Sequence, residues 1–96
     1  MPIFSGTIAG GVASTAYNNP VKIKSFNVSN KTGGAITVNV SVLEGSTNVL
    51  ISPYNHPLAA NAIYESEREI LIPVGSVVYV LTSGSADYFF TFEEVL

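Results

Sequence analysis

The chain has 96 residues, 47% of them hydrophobic, 11% charged and none cysteine, with a formal net charge of −3. That length supports one domain with a modest core, and the missing cysteines exclude a disulfide framework or a cysteine-ligated zinc cluster. Four basic residues are too few for a phosphate-binding stripe, and the longest mainly apolar stretch, residues 70–81, is interrupted by Pro73 and Gly75 and too short to span a bilayer.

Residues 1–16 are rich in Gly, Ser, Thr and Ala and lack both a basic residue and a continuous apolar run, so no secretory signal is expected. Within them residues 3–9 read as a weak strand, followed by a flexible stretch through Asn19. The segment 1–19 as a whole is expected to be an N-terminal arm or a weak edge strand, with Ile3, Phe4 and Tyr17 as isolated large side chains. Residues 20–96 are expected to form a single β domain.

Residues 21–29 read as a strand in which Val21 and Ile23 share one parity while Phe26 and Val28 share the other. That switch predicts a β-bulge near Ser25, or a strand buried on both faces. Asn30-Lys31-Thr32-Gly33-Gly34 then predicts a hairpin connection. Residues 35–43 alternate strictly, with Ile36, Val38, Val40 and Val42 on one face and Thr37, Asn39 and Ser41 on the other, as in a half-buried strand.

Gly45-Ser46 predicts a turn into a short strand over 47–52. The prolines at 53 and 57 predict a loop carrying Tyr54 and His56, followed by one helical turn over 58–61. Residues 62–66 and 68–72 read as strands, 73–76 as a turn, 77–82 as a strand, 83–85 as a turn and 88–93 as the closing strand. In that last strand Tyr88, Phe90 and Phe92 share a core parity and Phe89 points the other way. Seven or eight short strands with turns every 8–12 residues predict an all-β fold, a small antiparallel β-sandwich of Ig-like or jelly-roll-like type.

Charge is scarce for a soluble domain, for which about 25% is usual, and Ser, Thr, Asn and Gly stand where Lys and Glu are common. Such a surface suits contact with other protein, so a homo-oligomer is expected. Residues 1–43 carry three lysines and no acid, whereas residues 44–96 carry seven acids and Arg68. This is either chance or a pair of complementary faces that meet between subunits.

Catalytic chemistry is hard to find. His56 stands alone between Asn55 and Pro57 and reads as a surface-loop histidine rather than a base. Glu65, Glu67 and Glu69 share a parity if their strand is continuous, which reads as a solvated acidic edge rather than a cation site. Gly6, Gly10 and Gly11 lack the lysine and helix of a phosphate loop. No cofactor, metal or enzymatic activity is expected. The candidate interaction residues are Ile3, Phe4, Tyr17, Tyr54, His56 and Phe89.

The strand rhythm of VKIKSFNVSN (21–30), GGAITVNV (33–40), PLAAN (57–61), ILIPVGSVVYV (70–80) and the alternating 88–93 strand resembles small β-sandwich proteins and modules of tailed-phage virions. The resemblance covers about three-quarters of the chain. It implies a virion structural protein, in the first place a capsid decoration or cement subunit that is trimeric and contacts the major capsid protein. The alternative it implies is a neck, tail or fibre module that binds a host glycan or protein.

Overall fold

One strand organises the molecule. The computed structural model describes residues 3–95, which form β1 (Ile3–Ala16), β2 (Val21–Asn30), β3 (Ile36–Glu44), β4 (Thr47–Leu50), β5 (His56–Leu58), β6 (Ile63–Ser66), β7 (Ile70–Ile72) and β8 (Val77–Glu94). All pairings are antiparallel and belong to one continuous sheet. β1 follows one edge of β8 over most of its length, Ile3 opposite Thr91 and Ala16 opposite Val77. The other edge of β8 is shared: β3 takes Val77 to Thr82, and β2 takes Ala86 to Glu94.

That arrangement forces the sheet to fold on itself. Drawn straight, β8 would run about 56 Å at roughly 3.3 Å per residue, whereas the longest dimension of the molecule is 42 Å. Ala16 lies opposite Val77 and Val21 opposite Glu94, yet the chain between Ala16 and Val21 reaches only about 18 Å when fully extended. The two ends of β8 therefore approach each other. The bend falls where the β1–β8 register shifts between Ala9 and Gly11, with Gly10 (φ 100°) opposite residues 83–84 and Gly11 (φ 133°) paired with Thr82. Glycine alone adopts such backbone without strain.

Two facing halves result. The first contains residues 3–9 of β1, 86–94 of β8, and β2 with β6 and β7 along its outer edge. The second contains residues 11–16 of β1, 77–82 of β8, and β3 with β4 and β5. Their inner faces supply the core: Val21, Ile23, Phe26, Val28, Phe90 and Phe92 from the first, and Val38, Val40, Val42, Val78 and Val80 from the second. Phe26 stacks on Phe90 with ring centroids 4.8 Å apart. Each fully buried side chain of this size contributes roughly 1.5–3 kcal/mol. Val42, Val49 and Ile51 of one half share a groove with Ile70 and Leu71 of the other, although their strands are not hydrogen-bonded.

The all-β antiparallel class agrees with the sequence, as do the inward parity of β3 and that of Tyr88, Phe90 and Phe92. The expected irregularity in β2 is a register shift between Ile23 and Ser25. Several local expectations fail for one common reason. β2 and β3 form no hairpin; they run end to end in the same direction, both paired with β8. Residues 83–85 are no turn, because β8 continues through them. The connection after β2 is organised by the buried Asn30, whose amide nitrogen donates to the carbonyls of Gly34 (2.8 Å), Leu58 (3.0 Å) and Ala59 (3.0 Å) while its oxygen accepts from the Thr32 backbone and hydroxyl. His56 and Pro57 belong to strand β5 rather than a loop, and residues 59–62 make a turn, Ala62 N–H to Ala59 carbonyl, with no helix. Of the two expectations for the N-terminal segment, residues 3–16 are an edge strand.

Candidate functional site

The outer faces of the two halves differ in charge. On the first half, Lys24 Nζ lies 2.8 Å from Glu69 and 3.2 Å from Glu93, and Lys22 Nζ lies 3.3 Å from Glu69. The hydrogen bond to Glu69, then that to Glu93, raises the pKa of Lys24 above its ordinary value; Lys24 and then Lys22 lower that of Glu69. Asp87 accepts from the Thr7 hydroxyl and lies 3.5 Å from Lys31, and its carboxyl is lowered chiefly by that Thr7 bond. Such exposed pairs are screened by solvent and contribute little to stability. All three lysines of the basic segment are thus paired with carboxylates of the same chain.

Among the described residues, the outer face of the second half carries no charged side chain. Across its rows, Val12 lies beside Leu81 and Asn39; Ser14 beside Tyr79, Ser41 and Leu50; and Val77 beside Leu43 and Asn48. Period two creates this surface: the even residues of β8 and β3 fill the core, so the odd ones face out. Val12 is 58% exposed, Leu81 47%, Leu50 44% and Tyr54 74%. The Tyr54 loop is fixed from beneath. The Asn39 amide donates to Asn55 Oδ1 at 2.9 Å, and the Asn55 backbone N–H donates to Asn39 Oδ1 at 2.7 Å. Asn55, at a φ of 47°, takes the left-handed conformation that asparagine tolerates. Shallow depressions between these side chains are lined by Leu, Tyr, Val, Asn and Ser.

The six candidate residues do not converge. Phe4 is half-buried and packs on Tyr88 and Phe90, with centroids 4.6 and 5.5 Å away. Tyr17 meets Phe92 edge-on at 5.0 Å, and His56 packs against Tyr64 at 4.7 Å across the two halves. These three are committed to the domain's own packing. Ile3 and Phe89 remain exposed on the outer face of the first half, and Tyr54 stands out from the second.

Comparison with protein families, characterised proteins and solved structures finds no match to this chain. What the surface can do therefore rests on its own chemistry. Among the described residues no group of three His, Cys, Asp or Glu side chains converges. Glu69 is drawn to the lysines and away from Glu65 and Glu67, which instead border a depression with Ser25 and Asn27.

Sequence reasoning missed Val12, Leu50, Tyr79 and Leu81. Residues 77–82 are apolar on both parities, so nothing local says which set faces inward. The one available signal was the polar Asn39–Ser41 face of the neighbouring strand, which fixes the outward parity once the pairing with β8 is known.

Proposed function

We propose that this chain is a non-enzymatic structural subunit of a virus particle, a capsid decoration or cement protein, that docks on other virion protein through the uncharged outer face of its second half. The virion setting comes from the resemblance in strand rhythm. The docking surface is carried by one observation: Val12, Leu50, Tyr54 and Leu81 are exposed side by side with no charged residue among them. Aromatic enrichment and depletion of charge mark the buried centre of protein interfaces. A stable contact takes about 800 Å² from each partner, a modest share of the 5171 Å² this chain exposes.

The test is co-migration with particles from the source that encodes the chain, in a density gradient. The wild-type protein is expected in the particle band. Tyr54→Ala combined with Leu81→Asn is expected to leave it while keeping the β-sheet circular dichroism. Retention of the double variant on the particles, or absence of the wild type from them, overturns the proposal.

A second reading is favoured by Tyr54 itself, an exposed ring next to the amides of Asn39, Asn48 and Asn55. Aromatic rings with neighbouring amides suit a sugar, which is the chemistry of a neck, tail or fibre module that recognises a host glycan. A glycan array separates the two, since a decoration subunit shows no selective binding.

A further inference from the structure

We propose that residues 11–16 of β1 pair antiparallel with the same residues of a second copy, extending the sheet across a two-fold axis. The proposal goes beyond the docking reading above and rests on the self-association expected from the scarcity of charge, not on the virion setting.

The edges of the sheet are unequal. Along β3 the flank is closed in pieces by β4, by Ser52 and by β5: the Ser52 hydroxyl accepts from the Val40 N–H at 2.9 Å, and the Ile51 N–H donates to the Val40 carbonyl at 2.8 Å. β4 to β7 have only three or four residues each. Pro57 removes a donor from β5, and Glu65 lies in β6. These are the devices by which proteins protect sheet edges: short strands, proline and charge.

β1 has none of them. It runs 14 residues without a proline or a charged side chain, and among the described residues it pairs only with β8. Its far edge therefore presents backbone donors and acceptors that only another strand satisfies in regular order.

The occupant follows from the same inventory. A head-to-tail contact must place β1 against one of the short flanking strands, where the ladder ends after three or four residues and, in β5 or β6, also meets Pro57 or Glu65. A two-fold contact places β1 on β1, with matched length and no like charges to oppose one another. The segment 11–16 is favoured over 3–9 because it borders the uncharged outer face through Val12, whereas 3–9 borders Asp87 and its partners. Past the bend it is also a straight run in register with Thr82 to Val77. The closed unit is then a dimer, where the resemblance implied a trimer.

The chain contains no cysteine, so single cysteines report the geometry directly. Val12→Cys, Ser14→Cys and Ala16→Cys would each be oxidised in the otherwise native chain, beside Thr7→Cys and Thr47→Cys. Disulfide-linked dimer should peak at one position among 12, 14 and 16 and fall away at 7 and 47. In sedimentation equilibrium the wild type should be a dimer, and Ser14→Lys, which places two ammonium groups near the axis, should weaken it by about tenfold or more. Melting curves confirm that each variant is folded. A wild-type monomer at about 100 μM overturns both this pairing and the self-association it rests on. A trimer, or an oligomer that cross-links at Thr47 and ignores Ser14→Lys, overturns the pairing alone.

Discussion

Tyr17 meets Phe92 edge-on at 5.0 Å, although Ala16, the residue before it, is paired with Val77 at the opposite end of β8. Fifteen residues of one strand separate Val77 from Phe92, so this contact exists only because the β1–β8 ribbon doubles back. Removing the ring in Tyr17→Ala should cost about 2 kcal/mol, less than the roughly 3–5 kcal/mol of the fully buried Phe92→Ala. Urea denaturation of the two variants checks the order. Equal midpoints for Tyr17→Ala and wild type would show that the fold-back does not depend on this contact.

Backbone conformation alone should decide the effect of Gly11→Ala. An added Cβ at Gly11 would meet nothing within 4 Å, yet its φ is 133°. At Gly33 the space is equally open and φ is unexceptional. Gly11→Ala should therefore lose about 1–3 kcal/mol, whereas Gly33→Ala should be neutral or slightly stabilising. Thermal melts of both distinguish a strained bend from a merely small residue.

Neighbouring residues of β3 should respond oppositely to the same change. Val38 is wholly buried against Thr82, so Val38→Asp puts a carboxylate into the core without a partner, a cost of several kcal/mol that rivals the stability of a small domain. Asn39→Asp keeps the acceptor for the Asn55 N–H but loses the donor to Asn55 Oδ1. It should melt within about 1 kcal/mol of wild type while loosening the Tyr54 loop. Circular dichroism melts read beside the particle gradient test this, and equal destabilisation by both would place the outer face inside the fold.

Acid sensitivity should trace to Asp87 and Glu69. Both carboxyls are lowered in the folded state, Asp87 by the Thr7 hydroxyl and then Lys31, Glu69 by Lys24 and then Lys22. A depressed folded pKa gives stability that is fully present above the ordinary carboxylate range, about pH 4, and is lost as pH falls through the lowered values. The melting temperature should accordingly drop below about pH 4. Thr7→Val and Glu69→Gln should each flatten that drop with little effect on the slope near pH 7. An unchanged acid limb in both variants would move its origin elsewhere.

Alternation is a local property, and the sequence determined by itself everything that depends on it. The inward set of β3, the outward parity of Asn39 and Ser41, the break in β2 near Ser25 and the inward aromatics of β8 all follow from period two in β-branched and aromatic residues. Turn chemistry was equally legible at Gly45 and at Pro73 to Ser76, where the Ser76 N–H bonds the Pro73 carbonyl. Tyr54 was readable as an exposed loop aromatic for the same reason. Tertiary structure decided the rest. Glycine permits a bulge as readily as a turn, so Ser83-Gly84-Ser85 and Asn30 to Gly34 could each reverse the chain or let it continue. The choice fell to β8, which stays unbroken because β1 lines it from Val77 to Thr91 and β2 and β3 divide its other edge. That one long-range pairing selects which face of residues 77–82 is buried. It therefore also selects the uncharged surface of Val12, Leu50 and Leu81, whose members are far apart in the chain and meet only through the pairing of β1 and β3 with β8 and of β4 with β3.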